Sequence, residues 1–258
     1  ARAGIPIGIL VKRYIKFKYD INVPHYSISI IRGRGIDDNA MKYLLEKYRP
    51  QQILFVDGWI GKGAILNELK KDISAYEGVS ADIAVVADPA NVTELCGTHE
   101  DILIPSSCLN STVSGLISRT FLRDDIIGRD DFHGAVYYGE LTDSDLSYDF
   151  IETIEKEFNM ENTPDLEKRV ESQGIDEVIN IGKNFGVDDI NLIKPGIGET
   201  TRVLLRRIPW KVLIDERYKG NPQLEHIVRL AEEKHTPVEY YPLTHYKCCG
   251  IIKKLADA

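Results

Sequence analysis

The chain has 258 residues, of which 43% are hydrophobic and 28% charged, and its formal net charge is −8 at pH 7. These fractions are ordinary for a folded protein, and the length supports one large core or two smaller ones. The apolar runs fall short of the roughly 20 residues that span a bilayer, and no signal peptide is visible, so we expect a cytoplasmic protein without a membrane segment. The four cysteines show neither CxxC nor zinc spacing, which favours reduced thiols and no zinc.

Charge is divided unevenly along the chain. Residues 191–258 carry twelve Lys or Arg against eight Asp or Glu, a net charge of +4, which leaves −12 for residues 1–190. An acidic body with a basic tail predicts two modules, of which the second can face nucleic acid. We therefore expect an N-terminal domain at 1–160, a helical linker at 161–190 that opens on a break at 161–164, and a C-terminal domain at 191–258.

The N-terminal domain alternates strand and helix patterns with short links, which favours a parallel sheet with helices on its faces. Residues 1–8 resemble a loop that leaves a strand, yet no strand precedes them, so we expect this domain to lack at least one core strand. The predicted elements are a helix at 5–17, a strand at 25–31, a helix at 39–47, a strand at 53–56, a helix at 64–71, strands at 82–87 and 102–104, a helix at 108–121, a strand at 134–138 and a helix at 146–158.

The C-terminal part shows a separate rhythm. A polar helix is predicted at 165–181 and a turn region at 184–189, before the small domain begins. That domain is predicted to have an αβα arrangement. Its predicted elements are a helix at 197–207, a strand at 210–214, a helix at 222–234 and a strand at 238–241.

Residues 53–65 carry the main ligand prediction. An apolar strand runs into Asp57, and a loop that contains Gly61, Lys62 and Gly63 leads into the next helix. The loop N–H groups, the helix N-terminus and the lysine favour a phosphate, while Asp57 can hold sugar hydroxyls or a divalent metal ion. The loop lacks the Lys-Ser/Thr pair of a Walker A motif. A tight turn that binds no ligand is the alternative interpretation.

The three predicted loops that contain Arg2, Arg32 and Asp57 would meet beyond the carboxyl ends of the strands, where open α/β sheets bind their ligands. This arrangement resembles the type I phosphoribosyltransferases. The resemblance implies binding of phosphoribosyl diphosphate with Mg²⁺. It assigns the pyrophosphate to Arg2, Ala3 and Gly4, a basic lid to Arg32 and Arg34, the ribose or metal ion to Asp57, and the 5-phosphate to Gly61, Lys62, Gly63 and Ala64.

Longer strings at residues 1–8, 24–32, 55–64 and 131–138 resemble a bacterial family found in tellurium-resistance and stress-response gene clusters. That family is described as a phosphoribosyltransferase-like domain fused to a Pelota-type RNA-binding domain, and it also carries the label cysteine protease StiP. The resemblance implies that the leading function is ribosyl transfer for the synthesis or modification of a ribonucleoside. Expected partners are a phosphorylated sugar or nucleotide and an RNA, with a homodimer left open.

Residues 194–202 open a helix and resemble the loop and helix with which the L7Ae/Pelota superfamily grips kinked RNA. The resemblance implies that glycine N–H groups face the sugar-phosphate chain and that charged side chains reach bases and phosphates. The implied RNA-binding residues are Lys194, Gly196, Gly198, Glu199 and Arg202. A small αβα domain with ordinary surface charge is the alternative, and a non-catalytic RNA-binding protein is one of the open functions.

A cysteine protease is the other open function, and it needs a thiolate and a base. Cys108 is predicted near a helix N-terminus, which lowers the pKa of a thiol. His133 is the best candidate base, with a neighbouring acid, Asp130 or Asp131, available to orient it. A buried structural cysteine is the competing interpretation, since free cysteine is among the most buried residue types. We expect the remaining histidines, His99 included, to be surface or core residues.

Overall fold

The computed structural model describes residues 3–31, 33–108, 111–161 and 171–254. They form two compact units built from segments that alternate along the chain. The first unit contains residues 1–58, 64–86 and 105–165, and the second contains residues 59–63, 87–104 and 166–258. The predicted limits of the domains and linker stay a prediction. The candidates Arg2 and Arg32 and most of the break at 161–164 lie outside the described residues.

Helices and strands alternate through both units, which makes the fold mixed α/β. The helices are α1 Gly4–Tyr19, α2 Asp38–Leu45, α3 Ala64–Ile73, α4 Pro105–Cys108, α5 Ser147–Glu155, α6 Gly174–Phe185, α7 Ile197–Arg206 and α8 Glu225–Glu233. The strands are β1 Ile30–Ile31, β2 Gly35–Ile36, β3 Phe55–Trp59, β4 Ile83–Ala87, β5 Cys96–Thr98, β6 Ile117–Phe121, β7 Gly134–Tyr137, β8 Ile193–Pro195, β9 Pro209–Ile214, β10 Val238–Tyr240 and β11 Cys248–Ile252. In the described parts of the chain, no helix has the length and apolar character needed to cross a membrane.

The first unit contains the strand–helix–strand segment formed by β3, α3 and β4, whose two strands are neighbours in one sheet. Leu66, Leu69 and Ile73 recur at helical spacing and bury one face of α3. Two antiparallel pairs, β1 with β2 and β6 with β7, also belong to this unit. At the start of α2, the Asp37 side chain accepts a hydrogen bond from Ala40 N at 3.0 Å, as an N-cap residue does.

The second unit is built on a sheet with the strand order β10-β9-β11-β8, in which β9 and β10 are parallel and β11 is antiparallel to both its neighbours. Residues 212–214 of β9 are buried on both faces of the strand. Leu213 packs in one cluster with Val178 of α6, and Val212 packs in another with Leu204 of α7 and Ile227 of α8. Successive side chains of a strand point to opposite faces, so helices cover the sheet on both sides.

The structure corrects several predicted elements. The helix predicted at 108–121 is wrong, because Gly115 and Leu116 both have positive φ and turn the chain into β6. The strand predicted at 102–104 is absent, and β5 forms earlier, from Cys96 to Thr98. Strands β8 and β11 were not predicted, and the strand predicted at 25–31 is limited to β1. Strand β3 continues past Asp57, which therefore lies within the strand.

Candidate functional site

The loop predicted to bind phosphate is engaged by other parts of the second unit. Lys62 Nζ donates hydrogen bonds to the carbonyl oxygens of Ile190 at 2.7 Å and Ile193 at 3.0 Å. The Tyr246 hydroxyl donates to Gly61 O at 2.6 Å. Two of the three ammonium donors therefore serve carbonyl groups of the protein. In this arrangement the lysine links its loop to the start of β8 and to the turn that precedes it.

Asp57 lies in the first unit, where its Oδ1 atom accepts a hydrogen bond from Gly58 N at 2.7 Å. Gly4, at the start of α1, packs so closely that an added Cβ would lie 2.7 Å from Val56 O and 3.2 Å from Asp57 Cα. Close packing is thus sufficient to explain glycine at position 4. Among the described residues, no group of three or more His, Cys, Asp or Glu is placed to hold a metal ion. The Mg²⁺ ion predicted at Asp57 stays a prediction.

Other residues of the predicted ligand set lie in turns or at the ends of helices. Ala3 precedes α1, and Ala64 is the first residue of α3. Arg34 is exposed in the turn between β1 and β2, where its N–H donates to Ile31 O at 2.8 Å. Gly63, in the second unit, has a φ of +80°, a conformation that favours glycine. Their proposed ligand contacts remain predictions.

Cys108 and His133, the thiol and base predicted from the sequence, lie in the first unit. Cys108 ends α4 and is only 1% exposed. The His133 ring is held through Nδ1, which lies 3.0 Å from Ser29 Oγ, while its backbone N–H donates to Asp37 Oδ2 at 2.7 Å. The carboxylate of Asp131, one of the two neighbouring acids, accepts a hydrogen bond from Gly128 N at 2.8 Å. The role of this pair stays a prediction.

A second thiol, Cys96, lies beside an imidazole in the second unit. Its Sγ atom is 3.6 Å from His99 Nε2 and 3.8 Å from His99 Nδ1. His99 Nδ1 lies 3.0 Å from the backbone oxygen of Asp88 and 3.7 Å from the carboxylate atom Asp88 Oδ2. Thiol, imidazole and carboxylate are the three groups that cysteine hydrolases combine. This cluster was not predicted from the sequence. Its sequence signal is the spacing Cys96-x-x-His99, which comes after Asp88, the residue that directly follows β4.

The other two thiols are fully buried in strand β11. Burial raises the pKa of the Cys248 thiol well above its usual range, and it raises the pKa of the Cys249 thiol in the same direction. Both therefore stay protonated near neutral pH, and a protonated thiol is a poor nucleophile. All four cysteines are free rather than paired in disulfides. The two thiols outside β11 are Cys96 and Cys108.

The N-terminus of α7, the helix that resembles the RNA-gripping element, is occupied within the second unit. Ile197 N donates to Asp101 Oδ1 at 3.0 Å, and Gly196 N donates to Cys248 O at 2.7 Å. The second oxygen of Asp101 accepts from Lys247 N at 2.9 Å. Burial raises the pKa of Asp101 to about 6, and the two backbone hydrogen bonds oppose that shift. These two N–H groups already have protein acceptors.

The charged residues predicted to contact RNA remain close together on α7 and β8. Arg202 and Glu199 form an ion pair at 2.5 Å, and Lys194 Nζ lies 4.0 Å from the other Glu199 oxygen. All three side chains are partly exposed. Gly198 lies in the first turn of α7 between them in the sequence. The cluster combines two positive charges and one negative charge on a surface that solvent reaches.

The fold and the site define a mixed α/β protein that carries two candidate thiols, one of them beside an imidazole, followed by a small sheet domain. Residues 1–155 match the family model described as tellurite-like stress resistance cysteine protease StiP, and residues 172–254 match the PELOTA RNA-binding domain model. The chain belongs to the StiP family. The cysteine protease StiP of Acinetobacter baylyi (strain ATCC 33305 / BD413 / ADP1) is 32% identical over 275 residues, which cover 98% of this chain and 71% of that protein. No solved structure matches the chain.

These matches correct the leading functional prediction. A phosphoribosyltransferase was the function predicted from the sequence. Both the family model and the Acinetobacter relative instead carry the name of a cysteine protease. The prediction of a transferase is therefore wrong. The alternative of a cysteine protease agrees with the matches, as do the predicted family and its Pelota domain.

Proposed function

We propose that the chain is a thiol-dependent peptidase joined to an RNA-binding domain. The observation that carries the peptidase is the match of residues 1–155 to a cysteine protease family, and this region contains the two thiols that lie outside β11. A cysteine peptidase forms a thioester with the substrate acyl group and then hydrolyses it, so a single reactive thiol is required. Cys96 and Cys108 are the two candidates for that thiol.

The peptidase is tested with the full chain and fluorescein-labelled denatured casein as the substrate. We expect cleavage that stops after prior treatment with iodoacetamide, because alkylation blocks the nucleophile, and that persists in EDTA. A sample alkylated after unfolding and then refolded reports on nonspecific damage. Cleavage that survives complete alkylation of the folded chain, or no cleavage of casein at any pH between 5 and 9, would refute the peptidase.

RNA binding is proposed for residues 172–254. The match to the PELOTA domain model supports it, as does the net charge of +4 carried by residues 191–258. The partly exposed side chains of Lys194, Glu199 and Arg202 are the proposed contacts. Gly196 and Gly198 would contribute by allowing close approach of the RNA backbone. An RNA of kinked, partly single-stranded shape is the expected ligand, because splayed bases expose the edges that proteins read.

Substitution of Arg202 by alanine tests the RNA contact. We expect a loss of about 1–3 kcal/mol in binding free energy for a kinked RNA hairpin and a shallower dependence of affinity on salt, because one phosphate contact is removed. Filter binding over a range of KCl concentrations measures both quantities. Arg229→Ala, a change at an exposed arginine on α8, is the matched control. Equal losses for the two variants would mean that only net charge matters.

Three finer predictions are kept as proposals. A phosphoribosyltransferase-like arrangement of the first unit is proposed as a scaffold alone, supported by the β3–α3–β4 segment and without transferase activity. A cytoplasmic setting is supported by four free cysteines, which suit a reducing compartment. A homodimer is the third, and it awaits a measurement of mass in solution.

A further inference from the structure

We propose that Cys96 is the nucleophile of the peptidase, with His99 as its general base and Asp88 as the residue that positions the imidazole. This assignment rests on the proposed peptidase function and chooses between its two thiols. It differs from the pair predicted from the sequence, Cys108 and His133. All three residues of the proposed site lie in the second unit, within one segment of twelve residues.

The contacts of His99 determine where its proton lies. A backbone carbonyl oxygen can only accept a hydrogen bond, so His99 Nδ1, 3.0 Å from Asp88 O, carries the proton in the neutral ring. This tautomer makes Nε2 the ring nitrogen that carries the lone electron pair and can act as an acceptor. Nε2 is the ring nitrogen nearer to Cys96 Sγ, at 3.6 Å. Because Sγ is also 3.8 Å from Nδ1, the sulfur lies beside the ring and off the axis of the Nε2 lone pair, so a rotation of the His99 or Cys96 side chain precedes transfer of the thiol proton to Nε2.

Asp88 is fixed in place by its own hydrogen bonds. Its Oδ2 atom accepts from Val92 N at 2.6 Å and Thr93 N at 2.8 Å, and its backbone N–H donates to Thr98 O at 2.9 Å. These hydrogen bonds join Asp88, at the start of the segment, to Val92 and Thr93 in its middle and to Thr98 near its end. The carboxylate, 3.7 Å from His99 Nδ1, is near enough to stabilise the imidazolium that forms when the thiol loses its proton.

The segment also brings the thiol close to the surface. Cys96 is 5% exposed, more than any of the other three cysteines, and the His99 side chain is 16% exposed. Leu95 and Gly97, which flank the thiol, are both exposed. Cys108, at 1% exposure, is more deeply enclosed.

The reaction at this site balances with water as the only co-reactant. The thiol proton moves to His99 Nε2, and the Cys96 sulfur forms a bond to the carbonyl carbon of the substrate. The C–N bond then breaks, and the proton on Nε2 goes to the leaving amine. Water attacks the thioester, His99 removes its proton, and the C–S bond breaks to release the acid. The proton returns to sulfur, which restores the thiol.

Substitutions in the full chain test the assignment with fluorescein-labelled denatured casein. We expect Cys96→Ala and Cys96→Ser to lower kcat/KM by at least about 10³-fold, and His99→Gln by about 10²–10⁴-fold. Cys108→Ala is expected to stay near the wild-type rate. For Asp88→Asn we expect a fall in kcat together with a shift in the pH profile of kcat/KM, because a smaller folded fraction lowers the apparent kcat without moving that profile. Thermal melts of each variant identify any that fail to fold.

A labelling experiment gives a readout that needs no cleavage. Iodoacetamide is added to the folded chain, and peptide mapping by mass spectrometry follows each cysteine with time. We expect Cys96 to react first and His99→Gln to slow Cys96 alone. Loss of cleavage in Cys108→Ala but not in Cys96→Ala would overturn the assignment and leave the peptidase standing. The assignment would also be overturned if Cys96 were labelled slowly and at the same rate in the wild type and in His99→Gln. Fast, His99-dependent labelling without cleavage would support the reactive pair and refute the peptidase.

Discussion

Asp101→Ala is expected to lower the free energy of unfolding by about 2 kcal/mol at pH 7.5, because Ile197 N and Lys247 N would lose their buried acceptor. Asp101 is only 2% exposed, so water does not easily replace the carboxylate. Urea unfolding monitored by circular dichroism measures the loss. Asp124→Ala, at an exposed aspartate, should change the free energy by less than about 0.5 kcal/mol.

Asp101→Ala should lower the free energy of unfolding by a larger amount in acid than at pH 7.5. The pKa of Asp101 is raised from 3.8 to about 6 in the folded chain, so the folded state holds this proton more tightly than the unfolded chain does. The part of its contribution to stability that depends on the bound proton is fully present below pH 3.8 and is lost as the pH rises through about 6, whereas the hydrogen bonds from Ile197 N and Lys247 N remain at pH 7.5. We expect Asp101→Ala to cost about 1 kcal/mol more at pH 5 than at pH 7.5. A cost that is equal at both pH values would contradict the buried, proton-binding carboxylate.

Gly174→Ala is expected to lower the free energy of unfolding by about 3 kcal/mol, because the added methyl group has no space. It would overlap the Tyr246 hydroxyl oxygen and lie 3.0 Å from Ala90 Cα. The tyrosine is 1% exposed and its hydroxyl donates to Gly61 O at 2.6 Å, so the ring has little freedom to move aside.

A double-mutant cycle isolates that overlap. Tyr246→Phe alone should cost about 1 kcal/mol for the lost hydrogen bond, but it also removes the oxygen that the new methyl group meets. The double variant Gly174→Ala/Tyr246→Phe should therefore be more stable than the sum of the two single losses predicts. Strictly additive losses, measured by urea unfolding, would show that the methyl group is accommodated elsewhere.

Elements defined by local periodicity could be predicted from the sequence. Helix α3 follows from the spacing of Leu66, Leu69 and Ile73, and β9 follows from the apolar run that ends at Ile214. The helix predicted at 108–121 failed although its apolar spacing was suitable. The reason is the left-handed backbone at Gly115 and Leu116, which the spacing of apolar residues does not report.

The roles of the glycine-bearing loop and of Asp101 depend on contacts between distant parts of the chain. Gly61 suited a phosphate loop, yet a Cβ there would lie 2.5 Å from the Trp59 ring, so tight packing explains the glycine. Lys62 reaches carbonyl groups about 130 positions later in the chain. Local sequence patterns cannot distinguish a glycine that faces a ligand from one that faces a side chain.

The candidate thiol site illustrates the same limit within a short segment. Cys96 and His99 are three positions apart, but the spacing becomes informative only when β5 and the bonds of Asp88 bring sulfur and imidazole together. Cys108 and His133 were predicted as thiol and base because Cys108 follows an apolar run and His133 has acidic neighbours. The family match favours the cysteine protease over the transferase. The geometry of the second unit favours Cys96, and not Cys108, as the proposed nucleophile.

The most direct measurement is the mass-spectrometric location of the adduct when iodoacetamide has just abolished casein cleavage by the full chain. We expect one carbamidomethyl group per molecule, on Cys96, with loss of activity proportional to its formation. Full inactivation with the adduct on Cys108, or activity that persists after Cys96 is completely modified, would contradict the proposed site.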